Sequence, residues 1–135
     1  MKLYYLLDTN ICIYIAKQHP MKVFNKFEQL DVGAVGMSII TYGELIYGAK
    51  KSQCSSKAFA VLEELISLIP VLSMPVQAAE HYGEIRRKLE KKGKPIGNND
   101  LWIAAHGLAL ELIIVTNNTK EFSRIQNLQV ENWTI

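Results

Sequence analysis

Apolar runs too short to be helices alternate along this chain with longer stretches whose apolar residues recur at helical spacing. Leu3 to Leu7, with Tyr4 and Tyr5 inside it, predicts a buried strand. Asp8-Thr9-Asn10 offers capping side chains to a helix from about Ile11 to Lys17. Val23, Phe24, Phe27 and Leu30 predict a second helix over Met21 to Leu30, and Gly33 to Met37 reads as a second small strand. Ser38 fits the N-cap of a helix running through Ile40, Glu44, Leu45 and Tyr47 to about Lys50. Another helix covers about Lys57 to Leu68, started by Ser55 or Ser56, and Pro70 to Leu72 is a short strand.

The second half repeats the rhythm. Pro75 belongs in the first turn of a helix, where its missing N–H costs little. That helix continues through Ala79, Tyr82, Ile85 and Leu89, and Gly93 ends it. Lys94 to Gly97 is a loop, and Asn98 or Asn99 caps a helix from about Asp100 to Leu110. Leu112 to Val115 is a strongly apolar strand, Thr116 to Thr119 turns away from it, and a last strand lies near Gln129 to Trp133. Strands separated by helices predict a parallel, helix-covered α/β sheet.

Length and composition narrow this picture. At 135 residues, 49% hydrophobic and 21% charged, residues 1–135 are expected to fold as one globular domain. No apolar run reaches the roughly 18–20 residues that span a bilayer, and the start of the chain lacks the small-residue cleavage site of a signal peptide. A cytoplasmic location is therefore expected. Cys12 and Cys54 are then reduced thiols, expected in or near the core. No Cys/His cluster has zinc spacing, and His19, His81 and His106 are far apart. The net charge of +2 says little, but Arg86, Arg87, Lys88, Lys91, Lys92 and Lys94 crowd one stretch against Glu90. That run is either a solvated helix end, where cations are favoured, or a patch that contacts phosphates.

Aspartate occurs only at positions 8, 31 and 100. Asp8 follows the first apolar strand, and ligand sites of open α/β sheets lie outside the carboxyl ends of strands. Asp100 falls in the first turn of the helix that leads into the most apolar strand. Each aspartate can also be read as a helix cap. Glu44 sits mid-helix on a face shared with Ile40 and Tyr47, where an acid is costly to bury unless paired or bound to metal. Carboxylates meeting at one strand edge repel, and Mg²⁺ or Mn²⁺ with their preference for oxygen ligands would relieve this.

The residues around these acids carry a resemblance. Leu7-Asp8-Thr9-Asn10-Ile11, Ser38-Ile-Ile-Thr41-Tyr-Gly-Glu44-Leu-Ile-Tyr-Gly48-Ala49, Gly97-Asn-Asn-Asp100-Leu-Trp-Ile-Ala-Ala-His106 and Ile113-Ile-Val-Thr116-Asn-Asn-Thr119-Lys-Glu-Phe122, with Glu131-Asn132-Trp133 at the end, together cover the chain in order. In these stretches it resembles the PIN-domain ribonucleases, specifically the VapC toxins of bacterial toxin–antitoxin pairs. The resemblance implies a three-layer α/β/α fold with a central, mainly parallel sheet. It implies Mg²⁺, or Mn²⁺ as a substitute, held chiefly by Asp8 and Asp100, with Glu44 completing a catalytic acidic cluster. Many family members carry a fourth acid after the strand that ends here at Val115. This chain has Asn117 and Asn118 there, with Glu121 the nearest acid. Asn118 and Glu121 are therefore candidate accessory residues, and Thr9 and Thr116 candidate hydroxyl donors to the acids or to a phosphate.

The implied reaction is hydrolysis of an RNA phosphodiester to a 5′-phosphate and a 3′-hydroxyl. The Asn-Asn-Thr-Lys-Glu-Phe stretch is similar to that of members cutting initiator tRNA in its anticodon loop, whose unstacked bases suit sequence-specific reading. Under this reading Arg86, Arg87, Lys91, Lys92 and Lys94 are candidate RNA contacts. The implied partners are a VapB-like antitoxin, in a hetero-oligomer with the toxin, and a second copy of the chain. Trp102 and Phe59 are candidates for the antitoxin surface or for the core, and His106 for RNA contact or helix packing. An α/β phosphatase or receiver domain fits poorly, because Asn10 stands where a second Asp is needed and no paired acids follow the first strand. The alternative is a non-catalytic PIN-fold module that binds RNA or protein.

Overall fold

A computed structural model describes residues 2–135. Its elements follow in the order β1 (Tyr5–Leu7), α1 (Thr9–Lys17), α2 (Met21–Glu28), β2 (Val35–Ser38), α3 (Ile39–Lys51), α4 (Ser55–Leu68), β3 (Val71–Leu72), α5 (Gln77–Lys91), α6 (Asn98–Leu110), β4 (Ile113–Val115), α7 (Thr119–Phe122) and β5 (Val130–Glu131). All four strand pairings are parallel, and the sheet order is β3-β2-β1-β4-β5. The register sets Leu6 between Gly36 and Ile114, and Leu7 beside Val115.

Alternation along the short strands feeds two separate cores. Leu6 and Ile114 pack with Ile85, Leu89, Leu101 and Phe122, from α5, α6 and α7. Leu7 and Val115 pack with Ile11, Val23, Leu62 and Leu65, from α1, α2 and α4. Helices thus cover both faces of the sheet, which is the expected three-layer α/β/α arrangement. Gly36 is fixed by close approach: a Cβ there would stand 2.8 Å from Leu72 Cγ and Cδ1.

Several boundaries differ from expectation for local reasons. Helix α1 begins at Thr9 because Asp8 itself is the cap. Ser55 and Ser56 do not cap α4; Cys54 stands at the cap without a side-chain hydrogen bond. It is also exposed, whereas Cys12 is fully buried, so the expectation of two core thiols holds for only one. Pro75 precedes α5 instead of lying in its first turn, and its carbonyl accepts from the Ala78 amide. Neither Asn98 nor Asn99 caps α6, since Gly97 occupies that position and both asparagines are helical. The turn after Val115 closes into α7, a short helix the apolar pattern does not announce. Gly93, with φ +69, ends α5 as expected, letting the Lys94 amide reach back to the Leu89 carbonyl at 2.9 Å. No helix among the described residues is long and apolar enough to cross a membrane.

The strand order reverses direction between β1 and β4. Helices on the two sides diverge there, leaving a crevice at the carboxyl ends of these strands. Asp8 ends β1, Thr116 ends β4, and helix α6 brings its first turn, with Asp100, to the crevice.

Candidate active site

Asp8 serves two purposes in this crevice. Its backbone N–H continues the sheet by donating to the Val115 carbonyl at 3.0 Å. Its Oδ1 accepts from the Ile11 amide at 3.0 Å and caps α1. The cap and site readings of this residue are therefore compatible. Only 6% of its surface is exposed. Burial pushes its carboxyl above the ordinary value; hydrogen bonds from Thr116 and the Ile11 amide oppose that shift, and the charge of Glu44 adds to it.

Glu44 projects from the middle of α3. The Thr9 hydroxyl donates to Glu44 Oε1 at 2.5 Å and lies 3.4 Å from the hydroxyl of Thr41, itself fully buried. Thr9 thus ties the start of α1 to α3 and orients the glutamate. Thr116, also fully buried, holds Asp8 and accepts the Asn118 backbone N–H at 2.9 Å. Both threonines act on the acids, one on each side of β1.

Asp100 meets Glu121 on the other flank. Its carboxyl is pushed up to about 6 by burial first, then by close contact with the Glu121 carboxyl, then by the charges of Asp8 and Glu44. Glu121 is positioned by Asn118, whose amide N–H donates to Oε2 at 3.0 Å. The structure therefore brings together Asp8, Glu44, Asp100 and Glu121, with Thr9, Thr116 and Asn118 as their hydrogen-bonding partners. Helix α7 is what turns Glu121 toward the cluster.

Three residues outside the expected set rim the crevice. The Asn10 amide donates to Asn117 Oδ1 at 3.4 Å, and the Asn117 amide donates to the Tyr14 hydroxyl at 3.1 Å. The bridge joins α1 to the end of β4. Asn10 and Tyr14 stand one helical turn apart, the one signal in the sequence that could pair them. Thr41 is legible in the same way, three residues before Glu44 on one helix face.

The other candidates fall elsewhere. Arg86, Arg87, Lys91, Lys92 and Lys94 are all exposed at the end of α5 and in the loop before α6. Arg86 is engaged by Glu90 at 3.1 Å and by the Tyr82 hydroxyl at 2.7 Å, and Lys88 pairs with Glu84 at 3.4 Å. Among the described residues Arg87, Lys91, Lys92 and Lys94 form no ion pair. His106 is fully buried, so RNA contact is excluded and helix packing holds. Neither ring nitrogen makes a hydrogen bond of ordinary geometry; burial lowers its pKa, and the nearby Ser73 backbone opposes that only in part. Phe59 packs against the core on the α4 side, and Trp102 stacks on Tyr82 with ring centres 3.9 Å apart.

The cluster offers only oxygen donors, the set that a hard divalent cation prefers. Among the described residues no three acidic, histidine or cysteine side chains are gathered closely enough to hold an ion unaided. Mg²⁺ requires no such cage, because water and substrate oxygens complete its shell beside one or two carboxylates. Burial lifts Asp100 most, and the carboxylate crowding that adds to it is the strain a cation would remove. Donor chemistry and electrostatics therefore fit a divalent ion.

The comparisons with known proteins agree with this geometry. The PIN domain family matches residues 5–128, and nucleases of that family depend in general on divalent metal. Ribonuclease VapC2 of Haemophilus influenzae is 44% identical over 129 residues, covering 96% of this chain and 97% of the relative. The tRNA(fMet)-specific endonuclease VapC of Shigella flexneri is 46% identical over 130 residues, covering 96% and 98%. Among solved structures, the DNA-bound VapBC of Salmonella typhimurium superposes with a TM-score of 0.91 at 42% identity, covering 98% of this chain and 99% of that one. Matched from end to end by both sequence and fold, the chain belongs to the VapC ribonucleases of toxin–antitoxin systems, within the PIN-domain family.

Proposed function

We propose that residues 1–135 act as a single-domain, Mg²⁺-dependent endoribonuclease of the cytoplasm that cuts the anticodon loop of initiator tRNA. The observation that carries this reading is the convergence of Asp8, Glu44, Asp100 and Glu121 where the sheet order reverses. Relatives named as tRNA(fMet)-specific endonucleases support the substrate. A non-catalytic binding module would have no use for four mutually repelling carboxylates.

Asp8 and Asp100 would hold the cation, with Mn²⁺ able to substitute. When bound, the ion supplies positive charge to the phosphodiester and acidifies a water. Glu44 Oε1 is taken by the Thr9 hydroxyl, which leaves Oε2 to accept the proton of the attacking water. Asn118 keeps Glu121 turned toward Asp100. Thr116 holds the Asp8 side chain while the Ile11 amide anchors it from below. Arg87, Lys91, Lys92 and Lys94 take the phosphates of the bound strand. The products are a 5′-phosphate and a 3′-hydroxyl.

The toxin would be restrained by an antitoxin, in keeping with the VapBC complexes it resembles, and would work as a homodimer. A groove of about 360 Å³ between α1, α2 and α4 suits the antitoxin peptide. Exposed Val32, Val61 and Leu68 line it, and Glu28, Asp31 and Glu64 supply acid at its rim. An amphipathic segment carrying basic residues would match that surface.

The test is incubation of the purified chain with total tRNA, followed by sequencing of new 5′ ends. The expected result is one dominant cut in the anticodon loop of the initiator species, abolished by EDTA and restored by Mg²⁺. Cleavage that survives chelation would remove the metal mechanism, and cuts scattered over all tRNAs would remove the substrate.

A further inference from the structure

We propose that a second pocket, on the corner between α5 and α6, receives one unstacked base of the RNA strand that the acid cluster cuts. This rests on the ribonuclease reading above and adds a specificity site to it. The pocket measures about 230 Å³ and is lined by Tyr82, Arg86, Glu90, Pro95, Asn98 and Leu101, among others. Asn98 and Leu101 belong to the same first turn of α6 as Asp100. A nucleotide held here lies on the helical turn that also presents the catalytic carboxylate.

The side chains of this corner are linked before any ligand arrives. The Tyr82 hydroxyl donates to Asn98 Oδ1 and accepts from Arg86 Nη1, and Arg86 Nε donates to Glu90 Oε2. Trp102 stacks on the Tyr82 ring, with the planes 12° apart, and does not itself line the pocket. The loop on the far side is pinned by Arg124, which donates to the Pro95 carbonyl at 3.1 Å. Tyr82 is therefore an aromatic wall whose position is set from three sides. A wall that is already ordered loses little freedom when a base packs against it.

The remaining polar atoms match a base edge. Glu90 keeps its second carboxylate oxygen as an acceptor, and Asn98 keeps its amide N–H groups as donors. Every base presents donors and acceptors side by side along one edge, and single-stranded RNA is read by such contacts together with aromatic packing. The surroundings match the rest of the nucleotide. Arg87, Lys91, Lys92 and Lys94, which form no ion pair among the described residues, are exposed on the same helix end and loop and are left to attract the phosphates of the strand. Arg86 has a different part. Its guanidinium is spent on Glu90 and Tyr82, so it builds the pocket and is not a free phosphate contact.

The experiment uses the Asp8→Asn chain, in which cleavage should be too slow to disturb a binding measurement, and the anticodon stem-loop of initiator tRNA as the probe. Each loop nucleotide in turn is replaced by an abasic one, and binding is read by fluorescence anisotropy. Loss of the seated base should weaken binding about tenfold at one position, the scale of a single base–aromatic contact. With Asn98→Ala or Arg86→Ala added, both at exposed positions, removing that same base should cost nothing further. Tyr82→Ala also removes the support of Trp102, so it is read only alongside those two variants. If the pocket variants weaken binding equally at every abasic position, or not at all, the base pocket is overturned. If the unmodified chain cuts this loop in that case, the ribonuclease reading stands alone. If the stem-loop is neither bound nor cut, both readings fall.

Discussion

The carboxyl of Asp100 faces the carboxyl of Glu121, and burial, with this contact added to it, raises Asp100 to about 6. Folding thus strengthens proton binding at Asp100, whose ordinary value is 3.8. The resulting stabilisation is complete below the unfolded value and is lost as pH rises through the folded one. Metal-free protein should therefore lose melting temperature between about pH 4 and pH 7, relative to Asp100→Asn, which has no such proton to lose. Thermal melts of both proteins in EDTA check this; a gap between them that does not change with pH would show that folding leaves Asp100 unperturbed.

Mg²⁺ should act in the opposite sense. Binding requires the ionised carboxylates, so the ion competes with the proton on Asp100. The rise in melting temperature produced by saturating Mg²⁺ should be small at about pH 5 and large at about pH 7.5, with about half a proton released from Asp100 per ion near pH 6, where the metal-free carboxyl is half protonated. Calorimetric titration in two buffers of different ionisation enthalpy measures that release.

Asp8→Asn keeps the oxygen that caps α1 and removes the charge. Cleavage should fall by about 10²-fold or more while stability changes little. Asp8→Ala should be equally inactive and also lose about 1 kcal/mol of stability with the cap. A paired urea titration and cleavage assay separates the two effects. Equal stability of the two variants would mean that the cap contributes nothing.

The free cations predict a salt effect. Replacing Arg87, Lys91 and Lys94 together with Ala should lower the slope of log affinity against log salt by about 0.7 for each phosphate that is no longer neutralised. Arg86→Ala should leave that slope nearly unchanged, because its charge is already paired. Anisotropy titrations at four salt concentrations distinguish these outcomes, and an unchanged slope for the triple variant would return the run to a solvated helix end.

Gly36→Ala should destabilise the fold by about 1–3 kcal/mol through overpacking. The added carbon meets branched Leu72 at 2.8 Å, near the centre of its side chain instead of a flexible tip. A shift of the urea midpoint without a change in slope is the expected signature.

Which of these features can be read from residues alone follows from how local each one is. The strand and helix positions rest on periodicity within a few residues, and Ser38 caps α3 as its sequence suggests, with Oγ accepting from the Ile40 amide at 3.1 Å. The pairing of Asp8 with the end of β4 rests on the parallel fold, which alternating strands and helices already imply. Glu121 is less legible. Its approach depends on α7, a single short turn too brief to leave a periodic signal. Trp102 is ambiguous for another reason: its partner Tyr82 lies on a different helix, and no spacing rule joins them. The bonds of Arg86 to Tyr82 and Glu90 follow helical spacing within α5, yet a run of like charges hides them.

Strands β1 and β4 are adjacent in the sheet, yet most of the chain is synthesised between them. Their pairing closes a long loop, which is among the slower kinds of event in folding. A chain still emerging from the ribosome would hold Asp8 and Glu44 well before Asp100 and Glu121 existed to face them. Destructive capacity of this sort arises late, together with the centre of the sheet and the core that Leu6 shares with Ile114 and Phe122. An inhibitor made earlier and present in excess would meet each new copy at the moment it became dangerous.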